Sequence, residues 1–414
     1  MSWVRESAID LRTTEWDKID SRKLSALDET FKGKRFVYLG EPDHGIHEKY
    51  DYRLLLIRYL FEKGWRHIGV EAGFSGGKKL DRYLETGDTA YIDAHYKRYS
   101  RQGREDRAKS IPGARDPEFL AILRDEKTWF LEQLRSLCEA RPPGTDRIHW
   151  FGFDLDSTPG GGYADAEALV RPHESNALVQ SVLRRLVLVD GETRMQEVQR
   201  LRDLLGFLGN RQAELRQCLG EDDARELQRC IRCLADSFRF AMARQAGPDS
   251  SAWRSGMAER EEIMCRQLDE WIDGLAPVDK IILLGHNFHL AKLSTAIRVE
   301  GTSISRRNIG THLADRFPGQ VCSIWMLYDR GRHLDAYSKP YVKDVPSRPG
   351  TITQLLAQAG TRFVLPLHSG DSRESYLRLP REFVANGEFR ASAVLPQQAD
   401  VLFFLAEASE LRGR

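Results

Sequence analysis

Four short apolar runs, each ending on an ionisable residue, constrain the fold of this chain more than any other feature. A continuous apolar run of this length fits a strand that is buried on both faces, as in a parallel sheet. The four final residues are Glu41, Glu71, Asp154 and His286. Because ligands bind beyond the carboxyl ends of the strands in open α/β sheets, we expect these side chains to meet at one sheet edge. The sequence therefore predicts an α/β fold with a mostly parallel central sheet and an enzyme active site at that edge.

Helical patterns lie between the strands and predict how the chain is divided. Residues 1–163 are expected to form the first part of an α/β core, with helices flanking the sheet, and residues 276–414 its second part. Residues 164–275 are rich in Leu, Arg, Glu and Gln and contain no clear strand run. This middle segment predicts an inserted helical subdomain that stands over the sheet edge as a lid or cleft wall.

Three local patterns carry weaker signals. Residues 95–115 are strongly charged and predict a solvated loop or lid, or a basic rim that attracts an anionic substrate. The glycine-rich turn at 158–163 lacks the spacings of nucleotide-binding loops and predicts a flexible entrance to the helical segment. Cys230 and Cys233 have CxxC spacing within a helical stretch, where packing is the default interpretation and a redox or metal role the alternative.

The bulk composition limits the classes of partner. The chain has 62 basic and 61 acidic side chains, so no global field favours nucleic acid or a membrane, and a small-molecule substrate is expected. No stretch approaches the ~20 apolar residues of a membrane span, and the N-terminal sequence has no signal-peptide core. Six cysteines without a framework spacing predict reduced thiols and a cytoplasmic location. The oligomeric state is left open.

Two segments bring histidine and carboxylate side chains together. Residues 39–48 contain Glu41 and His44, and residues 285–292 contain His286 and His289. A histidine held by a carboxylate is a suitable general base for water, and further cationic side chains can stabilise an oxyanion. No GxSxG nucleophile motif is present.

Two other interpretations of these segments stay open. The histidines, with the His44 and Glu48 pair at i and i+4, could bind Zn²⁺ or Mn²⁺. The segments could also form a binding module that holds a polar ligand without turnover.

These residues resemble the erythromycin esterase family, whose members include esterases of macrolide antibiotics and succinoglycan biosynthesis proteins. The similarity spans roughly residues 30–330. It rests on Gly40-Glu41, His44-Gly45, Glu48 and Arg53, on Glu71-Ala72-Gly73-Phe74-Ser75, on Gly152-Phe153-Asp154, and on His286-Asn287-Phe288-His289. Weaker similarity includes Arg254 and Met257-Ala258, ahead of the last of these motifs.

The resemblance implies hydrolysis of an ester or macrolactone by histidine-activated water, without a metal or other cofactor. His44 would be the general base, Glu41 and Glu71 would orient it or the water, and Arg53 would support the acidic cluster. The expected catalytic residues are His44, Glu41, Glu71 and His286. The expected substrate-binding residues are His289, Arg53, Glu48, Asp154 and Phe74.

The chain departs from the family pattern beside the expected base. Pro42 and Asp43 stand where the family has a small residue and Ser or Thr, and we expect Asp43 to raise the pKa of His44. The charged stretch at 95–115 has no counterpart in the family pattern. The alternative is therefore a biosynthetic relative that uses the same acid/base site for elimination, cyclisation or hydrolysis of a non-macrolide.

Overall fold

The computed structural model describes most of the chain. The described residues are 2–15, 18–19, 21–100, 117–140, 147–156, 161–187, 189, 192–247, 250–304, 306–335, 340–367, 376–385, 387 and 389–411. Within them the strands are β1 Ile9–Asp10, β2 Phe36–Glu41, β3 Trp65–Gly73, β4 His149–Asp154, β5 Lys280–His286, β6 Arg298–Val299, β7 Thr302–Ser303, β8 Val321–Leu334, β9 Val342–Val345, β10 Arg362–Pro366, β11 Arg381–Ala385, β12 Phe389–Ala393 and β13 Val401–Ala408.

The longest uninterrupted series of helices lies between β4 and β5, and the other helices are interspersed with strands. Over the same described ranges they are α1 Ser2–Ser7, α2 Ser21–Leu24, α3 Asp28–Phe31, α4 Glu48–Glu62, α5 Phe74–Thr86, α6 Ala90–Ser100, α7 Pro117–Glu139, α8 Gly161–Val170, α9 Ala177–Leu186, α10 Arg194–Gly209, α11 Gln212–Leu219, α12 Glu221–Gln245, α13 Ser251–Ile272, α14 Ile309–Arg316, α15 Ile352–Ala357 and α16 Leu395–Gln398. Among the described residues, no helix is both long enough and apolar enough to cross a membrane.

The central sheet confirms the predicted fold class. Its strand order is β1-β10-β13-β8-β2-β5-β3-β4, and β9 pairs with β8. The six neighbouring strands from β13 to β4 are all parallel, whereas β1, β9 and β10 join antiparallel. Strands β2 and β5 end on Glu41 and His286 and are buried along most of their length, as expected for a parallel sheet with helices on both faces, whereas β3 continues two residues past Glu71 to Gly73.

The order of the strands creates a crevice where the active site was predicted. Strands β2 and β3 follow one another in the chain but are not neighbours in the sheet. Strand β5, which comes later in the chain, lies between them. Glu41 then pairs in register with His286, and Gly40 with Gly285. Open α/β sheets bind their ligands where the order of successive strands reverses in this way.

Helices α8 to α13 fill the chain between β4 and β5 in the described residues, as the helical pattern predicted. Helices α8 to α12 share an apolar core, to which Leu201, Leu204, Leu227 and Leu234 contribute, whereas Met264 and Leu268 of α13 pack against the central sheet. Cys230 and Cys233 are buried in this core on α12, in agreement with a packing role. The division of the chain into 1–163, 164–275 and 276–414 stays a prediction.

Other local predictions had mixed outcomes. Residues 95–100 belong to α6 and are not a loop, while 101–116 lie outside the described residues. Of the glycine-rich turn, 158–160 lie outside them and 161–163 begin α8. A second sheet of strand order β11-β12-β6-β7 was not predicted, because strands of two to five residues are too short to show a clear alternating pattern.

Helix α5 packs against β4 with its backbone in direct contact. A Cβ atom added at Gly77 would lie 2.1 Å from the backbone nitrogen of Gly152, and one added at Gly152 would lie 2.4 Å from the carbonyl oxygen of Gly73. Any side chain at these positions would separate the helix from the sheet. Because α5 begins directly after β3, this contact also fixes the carboxyl end of β3.

We expect Gly77→Ala to lower the free energy of unfolding by about 1–3 kcal/mol, because its methyl group would collide with backbone that cannot retreat. Gly206→Ala is the matched control, since Gly206 lies inside α10 and has no atom within 4 Å of an added Cβ. This control should stabilise the protein by about 0.5–1 kcal/mol. Urea unfolding followed by circular dichroism measures both changes, and an unchanged or raised stability of Gly77→Ala would refute the contact.

Candidate active site

Four ionisable side chains stand in a row along the carboxyl edge of the sheet. The order of neighbouring strands is β2, β5, β3 and β4. The side chains therefore follow one another along the edge as Glu41, His286, Glu71 and Asp154. The side chains of the three carboxylates are 5%, 8% and 12% exposed, and His286 is buried. Buried charges require partners, and each of the carboxylates has a cationic one.

Glu41 holds His44 in one orientation. One carboxylate oxygen lies 2.5 Å from Nδ1 of His44, and the other accepts from Arg53 at 2.8 Å and lies 3.2 Å from Nζ of Lys49. Burial alone would raise the pKa of Glu41, but Arg53 and Lys49 outweigh it, so the pKa lies below its usual value. Glu41 is therefore a carboxylate that favours a proton on Nδ1 of His44.

His44 is the accessible member of the cluster. Its side chain is 63% exposed, and its Nε2 atom has no hydrogen-bond partner in the part of the chain that the structure describes. Desolvation opposes the charged imidazolium, but the carboxylates of Glu41 and Glu71 outweigh this effect and raise the pKa of His44 above its usual value. The Nε2 lone pair of the neutral ring is thus available to a ligand.

Arg53 joins the two strands that carry Glu41 and His286. Besides the bond to Glu41, it donates to the carbonyl oxygens of Leu39 at 3.0 Å and Gly285 at 3.1 Å. Arg53 lies on α4, and its guanidinium is buried and bonded to these acceptors. Arg53 thus supports Glu41, and its contacts lie within the protein.

The segment that carries His44 is fastened to the C-terminal region. The backbone N–H groups of Leu334 and Leu411 both donate to the carbonyl oxygen of Gly45, and the N–H of His47 donates to the carbonyl oxygen of Ser409. Gly45 is required here, because an added Cβ would lie 2.1 Å from the carbonyl oxygen of Leu334. The position of His44 therefore depends on chain that is distant in sequence.

Glu48 also contacts the C-terminal region, and its side chain is directed away from the other predicted site residues. Its oxygens accept from the backbone N–H of Ser409 at 2.9 Å and from the hydroxyl of the same residue at 2.6 Å. The i, i+4 spacing of His44 and Glu48 therefore does not bring them onto a common ligand, because His44 is bonded to Glu41. Within the described residues, no three His, Cys, Asp or Glu side chains are arranged to hold a metal ion.

His286 is held as a neutral ring. Its Nδ1 accepts from the backbone N–H of Phe288 at 3.2 Å, so the ring proton lies on Nε2, which donates to the carbonyl oxygen of Pro42 at 3.1 Å. Burial and the neighbouring charge of His44 lower the pKa of His286 to about 4. The ring centroids of His286 and His44 are 5.5 Å apart.

His289 is held as a cation. The turn after β5 places its Nε2 3.1 Å from Glu71 and its Nδ1 2.7 Å from Glu261. Burial opposes the charge, but the two carboxylates outweigh it and raise the pKa of His289 to about 10. Glu71 also accepts from the backbone N–H of His286 at 2.7 Å, so one carboxylate orients both histidines.

Arg260 completes the cluster from above the sheet. It lies on α13, and its Nε and Nη2 donate to the two oxygens of Asp154 at 2.9 Å and 2.5 Å. Nη2 also donates to Glu71 at 3.0 Å. Burial opposes the guanidinium charge, but the two carboxylates outweigh it and raise the pKa of Arg260 further.

Sequence reasoning missed Arg260 and Glu261. Charged residues on an amphipathic helix are usually solvated, and neither residue follows a strand or belongs to a short motif. The only signal was the similarity of the neighbouring Met257-Ala258 segment to a known family. Their role emerges only when α13 is placed over the sheet edge.

Phe74, which was predicted to bind substrate, lies apart from the cluster, and Asp43, which was expected to raise the pKa of His44, is bonded to other residues. Phe74 is buried in the core of the helical segment, with the guanidinium of Arg229 5.3 Å from its ring. Asp43 is turned toward Nδ1 of His333 at 2.5 Å and the hydroxyl of Tyr328 at 3.2 Å. Burial favours the neutral acid, but His333 outweighs it and lowers the pKa of Asp43.

A family model described as Erythromycin esterase matches residues 61–408. The chain belongs to the erythromycin esterase family. The match begins after the segment with Glu41 and His44 and includes the three other strand ends of the cluster. A relative in Bacillus subtilis (strain 168), named "Putative hydrolase YbfO", is 25% identical over 427 residues, which cover 97% of this chain and 90% of that protein. Family membership and this relative support a hydrolase.

Solved structures share the fold. A Bacillus cereus protein matches with a TM-score of 0.74 and 18% identity, covering 100% of this chain and 98% of its own. A succinoglycan biosynthesis protein matches at 0.71 and 18%, covering 99% and 97%. A mutant of the erythromycin esterase EreC in its open conformation matches at 0.66 and 19%, covering 96% of each chain. At these identities the family's fold is shared, and the substrate does not follow.

The His289 ion pairs make stability depend on pH. A histidine whose folded pKa is raised from 6.5 to about 10 contributes stability that is complete below the unfolded pKa and is lost as the pH rises through the folded one. The free energy of unfolding should therefore fall, by on the order of a few kcal/mol, between these two pH values. Urea unfolding of wild type and His289→Gln across this range measures the difference. Parallel curves for the two proteins would show that His289 is not held as a cation.

Proposed function

We propose that this protein hydrolyses an ester or lactone with a water molecule activated by His44. The observation that carries the proposal is the Glu41–His44 pair, in which an ionised carboxylate holds Nδ1 at 2.5 Å while the exposed ring leaves Nε2 without a partner among the described residues. A general base must have its lone pair directed at the reacting water and its other nitrogen fixed. In His44, Glu41 fixes Nδ1 and the exposed Nε2 is open to a water, and Glu41 would stabilise the imidazolium that forms.

The reaction would proceed in two steps. His44 Nε2 takes a proton from water while the water oxygen attacks the carbonyl carbon, and the carbonyl oxygen becomes an oxyanion. The tetrahedral intermediate then collapses, the bond between carbon and the leaving oxygen breaks, and His44 returns its proton to that oxygen. The products are an alcohol and a carboxylic acid, or one hydroxy acid from a lactone. No serine or cysteine nucleophile is needed.

The other histidines would have separate tasks. His286 is too weak a base to remain charged near neutral pH, and its proton is directed at Pro42, so it would limit the space beside His44. His289 carries a positive charge, which suits it to stabilise negative charge on the substrate. A macrolactone is one substrate consistent with the family, and simple esters are others.

His44→Ala should reduce the rate of hydrolysis by about 10²–10⁴-fold, the contribution of a positioned general base, while leaving the protein folded. Mass spectrometry of products that have gained one water, from erythromycin-type macrolactones and a panel of simple esters, measures the rate with and without EDTA. His173→Ala, which changes a histidine in the helical segment between α8 and α9, is the control. Activity retained in His44→Ala would reject His44 as the base, and activity abolished by EDTA would favour a metal-dependent hydrolase.

The pH profile provides a sharper test of the Glu41–His44 pair. Because His44 must be neutral to accept a proton, kcat/KM should rise with pH through an apparent pKa above 6.5. Glu41→Gln removes the charge that favours the imidazolium, so this acid limb should move to lower pH while kcat falls. A limb that stays in place in Glu41→Gln would mean that another group controls it.

A further inference from the structure

The backbone N–H groups of the turn after β5 are already bonded within the protein. In the turn after β5, the N–H of Asn287 donates to the carbonyl oxygen of Glu41, that of Phe288 to the His286 ring, and that of His289 to the carbonyl oxygen of His286. These three donors are therefore occupied. The candidates in this turn for stabilising the charge that develops on a substrate oxygen are therefore side chains.

Arg260 is the side chain most firmly fixed beside this turn. Its Nε and Nη2 form a bidentate pair with Asp154, and Nη2 also bonds Glu71. Because the guanidinium is planar, fixing Nε and Nη2 also fixes the direction of its third nitrogen, Nη1. The side chain of Arg260 is 14% exposed, so the fixed group is largely shielded from water.

The remaining nitrogen of Arg260 faces another donor. Its Nη1 lies 3.3 Å from Nε2 of His289, and His289 stands between Glu71 and Glu261 with both ring nitrogens near carboxylates. A histidine in that position carries both protons and cannot accept from Arg260. In the described part of the chain, Nη1 of Arg260 therefore has no oxygen acceptor, although two cationic donors converge there.

We propose that Arg260 is a catalytic residue whose Nη1 group binds the carbonyl oxygen of the substrate as it becomes an oxyanion, while the positive charge of the neighbouring His289 ring adds to the attraction. The inference rests on the proposed function, because it assigns the oxyanion partner of the water that His44 activates. Asp154 is then a positioning residue that aims Arg260, and Glu71 aligns Arg260 and His289 through one oxygen. An oxyanion beside Nη1 would also relieve the like-charge contact between Arg260 and His289.

The first test measures binding of phenyl methylphosphonate, a tetrahedral anion that resembles the hydrolytic intermediate, by isothermal titration calorimetry. Arg260→Lys keeps the positive charge but removes the planar guanidinium with its Nη1 donor. It should weaken binding by about ten- to a hundredfold, as expected for a lost charge-assisted hydrogen bond. Arg266→Lys is the matched control, since this arginine lies on the same helix, pairs with Asp236 at 2.5 Å and is 43% exposed. Equal binding by wild type and Arg260→Lys, or no binding by wild type, overturns the inference.

A second variant allows for a site that collapses when Asp154 loses its partner. The double variant Arg260→Gln with Asp154→Asn removes both charges, so no buried carboxylate is left unpaired. Its kcat for any ester that the wild type hydrolyses should fall by about 10²–10³-fold with a smaller change in KM, as for the loss of an oxyanion donor. An unchanged kcat in this folded variant overturns the inference.

Failure of the inference and failure of the proposed function are distinguishable. In a His44→Ala background, binding of the phosphonate should still weaken on Arg260→Lys, because the Arg260 donor does not depend on His44. Phosphonate binding that depends on Arg260, in a protein that hydrolyses no ester, would retain the anion site and reject the hydrolysis. Hydrolysis that depends on His44, with binding and kcat indifferent to Arg260, would do the reverse.

Discussion

The ionised carboxylate of Glu41 is the group on which the rest of the site depends. It is buried at the end of β2, where Arg53 on α4 neutralises it and ties it to the backbone of β2 and β5. Its second oxygen fixes His44, whose own segment is fastened to Leu334, Ser409 and Leu411. Without a cation beside it, a buried carboxylate would take up a proton and lose its hold on the imidazole. The fold therefore fixes the base through the contact with Glu41 and the backbone hydrogen bonds of its own segment, rather than through a long rigid element.

Three imidazoles at one sheet edge are kept in different states by their partners. His289 is a cation between Glu71 and Glu261, His286 is neutral between Phe288 and Pro42, and His44 has a raised pKa beside Glu41. Environments that separate the pKa values of neighbouring groups divide the tasks of base, spacer and cation among residues of one type. The charge of each histidine follows from which atoms it contacts.

The sequence was sufficient to predict the parallel sheet and the row of ionisable strand ends, because buried parallel strands leave long apolar runs and align their carboxyl ends. It was insufficient where side-chain direction decides the outcome. Glu48 and His44 share a helical spacing, yet Glu48 turns to Ser409, and the distance between these residues in sequence hid that contact. Arg260 was missed because a single arginine on an amphipathic helix has no distinctive pattern until α13 is placed over β3 and β4. Short strands in the C-terminal region were missed because two to five residues do not establish a period.

The most direct test of this account is a nuclear magnetic resonance titration of the protein labelled with ¹⁵N-histidine, with the three signals assigned by single histidine variants. Nitrogen chemical shifts report the charge and the tautomer of each ring. The account predicts that His286 stays neutral, with its proton on Nε2, until the pH falls to about 4, that His289 stays charged until about 10, and that His44 titrates above 6.5 with the neutral form protonated on Nδ1. Titration of all three rings together near 6.5 would contradict it.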